Sequence, residues 1–152
     1  LWVADISDAT KPFFTRKTEL GKGRTNAAMS SLPDGRVVIT GGGEGEGNDL
    51  ELAVMNVQIW DPVANTVFTG PDQDIPRLYH SSGLILPDGT VFSAGGGAPG
   101  PLTNLNGQIY YPGYLFVPET GASGLLFSIG VETLLRERAF QSQSMTRLKL
   151  PR

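Results

Sequence analysis

The 152-residue chain is 39% hydrophobic and 18% charged, an ordinary balance for a folded domain, with a formal net charge of −3. No lysine or arginine cluster stands out, which argues against a nucleic-acid partner, and the absence of cysteine excludes a disulfide framework, a zinc knuckle and a thiol nucleophile within the chain. Gly (20) and Pro (11) together favour short elements joined by tight turns, as in all-β folds, and no run of eighteen apolar residues exists to span a membrane.

The chain opens on Leu1-Trp2-Val3-Ala4-Asp5, without an initiator Met or the basic and apolar regions of a leader. It starts in what reads as the middle of a strand, as expected of a piece cut from a longer protein. Strands are predicted at 28–32 and 36–40, joined by Pro33-Asp34-Gly35, where glycine supplies the positive φ of a tight hairpin. Gly41-Gly42-Gly43 ends the second of these strands, at a place where a neighbouring sheet is expected to crowd any side chain. The run continues to Glu44-Gly45-Glu46-Gly47. It lacks the Gly-Lys-Ser/Thr ending of a phosphate loop, and its glutamates repel phosphate, so it reads as a flexible surface loop. Strands at 55–60 and 66–68 follow, around a Pro62-Val63-Ala64-Asn65 turn.

The same order then recurs. Leu32-Pro33-Asp34-Gly35 returns as Leu86-Pro87-Asp88-Gly89 and the triple glycine as Gly95-Gly96-Gly97, both 54 residues on. Strands are predicted at 82–86 and 90–94, and Val57-Gln58-Ile59-Trp60-Asp61-Pro62 has its counterpart in Gly107-Gln108-Ile109-Tyr110-Tyr111-Pro112. A worn third copy of that last segment opens the chain at 2–6. A period near fifty residues with strand-sized apolar runs indicates kelch-type propeller blades. A β-sandwich with two coincidentally similar hairpins is the alternative, and the double in-register match weighs against it. The fold expected is all-β: a partial kelch-type β-propeller of about two blades plus fragments over residues 1–117. Such an arc cannot close, so it needs further blades or self-association to cover its open sheet edges.

The single histidine, His80, lies in Arg77-Leu78-Tyr79-His80-Ser81-Ser82. Taken alone, a Tyr-His pair on a strand points to opposite faces and says little. A lone histidine there is usually structural or solvated. The longer run, RLYHSSGLILPDGTVFSAGGG followed by NGQIYYPGYLF, resembles the last propeller blade of the galactose oxidase and glyoxal oxidase family, the copper radical oxidases. The earlier copy, from Gly23-Arg24-Thr25-Asn26 to the glycines, is similar to the preceding blade.

The resemblance implies that His80 and Tyr79 are copper ligands, and that Tyr79 is the catalytic base taking the proton of the substrate hydroxyl. Copper is the implied cofactor, with a tyrosyl radical on a cysteine-linked tyrosine as its one-electron partner. An alcohol, aldehyde or carbohydrate is the implied substrate, O2 is reduced to H2O2, and the setting is extracellular. Imidazole and phenolate suit Cu(II) chemically. The radical tyrosine, its cysteine and a second histidine have no counterpart here, so this chain alone is expected to be inactive. A kelch-type module binding protein or carbohydrate, and a degenerate fragment, are the competing readings.

Other candidates are weaker. Tyr110, Tyr111 and Tyr114 match an exit segment where such residues pack, and Arg77 is expected to reach a carboxylate or carbonyl at the blade mouth. Asp72 and Asp74 read as solvated carboxylates, since nothing nearby completes a calcium site. From 118 to 152 the resemblance stops. Val131, Leu134, Leu135 and Ala139 recur at helical spacing, unlike strands of the family's C-terminal immunoglobulin-like domain.

Overall fold

A computed structural model describes residues 1–100 and 102–116, together with the backbone of 125–129. It contains three antiparallel sheets. A hairpin of β1 (Trp2–Asp5) and β2 (Phe13–Arg16) comes first. A four-stranded sheet follows, with β3 (Ala28–Ser31), β4 (Val37–Thr40), β5 (Asn56–Asp61) and β6 (Thr66–Asp72) in sequential order. The second four-stranded sheet holds β7 (Ser81–Ile85), β8 (Val91–Gly95), β9 (Gly107–Tyr111) and β10 (Leu125–Ile129), again in sequential order. One 3-10 turn at Gly113–Leu115 sits between β9 and β10. The chain is thus a partial β-propeller: two successive blades and the outer hairpin of a third.

The repeated Pro-Asp-Gly segments form the same turn twice. In the first, the Gly35 N–H donates to the Leu32 carbonyl at 3.0 Å and the Leu32 N–H to the Arg36 carbonyl at 2.8 Å. Pro33 and Asp34 fill a tight turn, and Gly35, at φ +85°, closes it as the left-handed residue of a three-residue hairpin loop. Leu86, Gly89 and Thr90 repeat the pattern, with Gly89 at φ +83°. Asp34 and Asp88 each accept the backbone N–H two residues on, which explains aspartate at that place.

The core lies between the blades. Leu32, Val38, Val57 and Ile59 of the first meet Val91 and Tyr110 of the second, and Tyr114 packs against them. β4 and β5 are buried on both faces, which suits their near-continuous Val, Ile and Trp; β3 and β7 alternate between more and less exposed residues. Fully burying each such side chain contributes about 1.5–3 kcal/mol. β3 packs along β7, and Gly83 of β7 is the point of closest approach. A Cβ there would lie 2.8 Å from that of Ala28 and 3.0 Å from the Thr40 hydroxyl.

The glycine runs refine the expected crowding. A Cβ on Gly41 would stand 2.5 Å from the Arg77 carbonyl of the next blade, but Gly42 and Gly97 are crowded by their own blade, at Thr25 and Leu102. The 41–47 run is anchored at its start, where Gly43 bridges to Thr25 and Ala53 and the Glu44 N–H donates to Leu52.

β10 lies beyond the boundary expected at 117, and its backbone pairs with β9 from Leu125↔Tyr111 to Ile129↔Gly107. It supplies the outer strand that the second blade requires. The helical spacing at 131–139 lies outside the described residues. Trp2, Phe13 and Phe14 of the first hairpin remain exposed. Among the described residues no helix is long and apolar enough to cross a membrane.

Candidate functional site

Each blade is pinned at one end by an arginine. Arg24 donates from Nε to Gln58 Oε1 (2.9 Å), from Nη1 to the Gly41 carbonyl (2.9 Å), and from Nη2 to the Asn56 carbonyl (2.5 Å) and Oδ1 (3.0 Å). In the second blade Arg77 Nη1 donates to the carbonyls of Gly95 and Asn106, both at 3.0 Å. Gly95 is the repeat partner of Gly41, and Asn106 that of Asn56. Arg77 therefore reaches carbonyls and holds the blade mouth together. It is almost wholly buried, and its Nε and Nη2 find no partner among the described residues. Burial lowers the pKa of both arginines to about 10, which leaves them cationic at neutral pH.

Between this anchor and the following strand the two blades differ. Arg24 is followed by Thr25 and then Asn26 at φ +61°; Arg77 is followed by Leu78 and Tyr79 and then His80 at φ +65°. The second blade has one additional residue, taken up by a turn in which the Ser81 N–H donates to the Leu78 carbonyl at 2.9 Å. Tyr79 and His80 thus lie on a turn before β7, not within a strand. The left-handed backbone at His80 cancels the alternation that would separate their side chains. The two rings lie side by side, with centroids 3.7 Å apart and planes inclined by 30°. Both residues are exposed.

The loop after Gly95-Gly96-Gly97 folds back onto this pair. The Gly97 N–H donates to the Tyr79 carbonyl at 2.9 Å, and His80 Nδ1 lies 3.0 Å from the Ala98 carbonyl. A carbonyl oxygen can only accept, so Nδ1 carries the proton and Nε2 keeps the free lone pair. An imidazole held in this way is oriented as a metal ligand commonly is, through its second nitrogen. With the adjacent phenol oxygen it makes two donors of the kind Cu(II) takes, which fits copper as far as the pair goes. Among the described residues no group of three or more His, Cys, Asp or Glu is placed to hold a metal ion.

The remaining candidates have structural places. Tyr110 is fully buried in the core, and burial raises its pKa to about 12; Tyr114 donates its hydroxyl to the Gly89 carbonyl and so seals the second Pro-Asp-Gly turn. Asp74, expected as a solvated carboxylate, is exposed and also accepts a hydrogen bond from Gln108 Nε2 at 3.1 Å. The tethers through Gln58, Asn56 and Asn106 were not anticipated, although their recurrence in both copies was there to be read.

No family model matches the chain. Over 97 residues it is 40% identical to galactose oxidase of Gibberella zeae, and equally to that of the strain PH-1 of the same species; the match covers 61% of this chain and 14% of each relative. The chain therefore spans about a seventh of the length of these curated relatives. A solved structure described as a novel fungal alcohol oxidase with catalytic diversity among the AA5 family, in complex with copper, superposes with a TM-score of 0.65 at 24% identity. That similarity covers 74% of this chain and 24% of the other and concerns the fold. Over its 97 matched residues, this chain is a homologue of galactose oxidase.

Proposed function

We propose that the chain is part of a copper radical oxidase that oxidises an alcohol or aldehyde and passes two electrons and two protons to O2, giving H2O2. The observation that carries this reading is the side-by-side placement of the Tyr79 and His80 rings, exposed on one turn within a blade of the galactose oxidase type. Bound copper would supply Lewis acidity and one-electron chemistry. His80 is the nitrogen donor, through Nε2. Tyr79 is the oxygen donor and the base, its phenolate oxygen accepting the substrate's hydroxyl proton. The exposure of both rings gives a substrate hydroxyl access to that oxygen. The blades are read as kelch-type, spanning 1–117 and extended by β10, and the other donors and the radical tyrosine as belonging to chain outside this sequence.

Electron paramagnetic resonance of the Cu(II)-loaded chain, paired with a peroxide assay on alcohols and aldehydes, tests this. Weak binding with nitrogen hyperfine structure that disappears in His80→Ala, a signal that changes in Tyr79→Phe, and no peroxide from the chain alone are expected. A copper signal indifferent to His80→Ala would overturn the assignment. Peroxide formation dependent on both residues would overturn the incompleteness of the site.

A further inference from the structure

The Ala98 carbonyl that meets His80 belongs to a loop held from the neighbouring blade. Asn48, in the segment between β4 and β5, donates from Nδ2 to the Pro99 carbonyl at 2.9 Å, bridging 51 residues of sequence. Its amide orientation follows from that contact, because a carbonyl cannot accept from the Asn Oδ1. Gly100 lies directly against it: a Cβ there would come within 3.0 Å of Asn48 Nδ2 and 3.1 Å of Asn48 Cβ. The chain of contacts therefore runs from Asn48 to Pro99, to the adjoining Ala98 carbonyl, and on to Nδ1 of His80. Asn48 itself touches neither ring in this chain of contacts. Its Oδ1 is buried without a partner among the described residues.

We propose that Asn48 is a positioning residue for His80. By fixing the 98–99 carbonyls from the adjacent blade, it keeps the proton on Nδ1 and leaves Nε2 as the open donor of the imidazole. The inference deepens the copper reading and rests on it for what Nε2 binds. The tautomer itself is readable without metal.

Because His80 is the chain's single histidine, its two ring nitrogens give an unambiguous signal in a long-range 1H–15N spectrum of the metal-free chain, recorded where the imidazole is neutral. In the wild-type chain, Nδ1 is expected at the shift of a protonated nitrogen and Nε2 at that of an unprotonated one. In Asn48→Ala, and in Asn48→Asp, which keeps the shape but replaces the donor with an acceptor, the two shifts should converge as the tautomers mix. Amide dispersion and thermal unfolding should stay near wild type. A wild-type ring protonated at Nε2, or variants with the wild-type tautomer, would overturn the proposal. Where Asn48→Asp does not fold, Asn48→Ala, which sets no carboxylate against the Pro99 carbonyl, decides by itself. Failure of copper binding with the tautomer as expected would count against the copper reading alone.

Discussion

Asn26 and His80 occupy the same position in successive blades, 54 residues apart, and both adopt a left-handed backbone, at φ +61° and +65°. Asparagine tolerates that conformation better than most residues, and histidine is also enriched there. Beyond asparagine against histidine at this residue, the blades differ here in what precedes it: Thr25 alone in one, Leu78 and Tyr79 in the other.

Deleting Tyr79 should therefore return the second blade to the spacing of the first. The variant is expected to fold, with a melting temperature within a few degrees of wild type, while the nitrogen signature of bound Cu(II) weakens or vanishes. Circular dichroism and the copper spectrum of the same sample check both parts. Loss of cooperative unfolding would show that the extra residue is needed by the blade itself.

The two arginine anchors should differ in weight. Removing Arg24 leaves the Gly41 and Asn56 carbonyls and two side-chain amides without their donor, and each buried unsatisfied acceptor costs about 1–3 kcal/mol. Removing Arg77 takes a donor from the Gly95 and Asn106 carbonyls, the second of which still accepts the Gly95 N–H, and also relieves the burial of unpaired Nε and Nη2. Arg24→Ala is thus expected to be the more destabilising, by on the order of 1 kcal/mol or more in urea unfolding. Arg24→Lys should recover little, because it keeps the charge and loses the fork. Equal losses, or a larger one at Arg77, would contradict this.

Tyr110 makes one part of the stability depend on alkaline pH. Burial raises its pKa from 10.0 to about 12, so above pH 10 the unfolded chain releases a proton that the folded chain retains. Its contribution is complete below pH 10 and is lost as the pH climbs towards 12. Across that interval the urea midpoint of the wild-type chain should fall relative to that of Tyr110→Phe, the opposite contribution of the buried Arg24 and Arg77 being common to both chains. A variant with the wild-type slope would place the alkaline sensitivity elsewhere.

What the sequence disclosed follows from how local each signal is. Pro-Asp-Gly and triple glycine encode backbone dihedrals directly, so both hairpins were legible to within a residue or two; of the first hairpin only the strand within 2–6 was legible, and its partner Phe13–Arg16 was not. The relation of Tyr79 to His80 was not. Strand alternation predicts opposed side chains, and the turn that brings them together announces itself only when Asn26 is set beside His80. β10 carries no turn or repeat signal of its own, and only the free edge of β9 points to a partner strand. Asn48 was hidden more deeply, since nothing local marks a residue whose contact lies in another blade.

The additional residue before His80 has a consequence for how such a chain can change. A repeat array holds the same frame in every copy, so a length change confined to one copy's turn leaves the neighbouring interfaces in place. One added residue, together with histidine in the place of asparagine, separates the plain corner of the first blade from the corner of the second, where two exposed rings lie side by side. The first blade shows the shorter corner. Novelty in this architecture can arise by adding to a single unit while the rest continue to carry the scaffold.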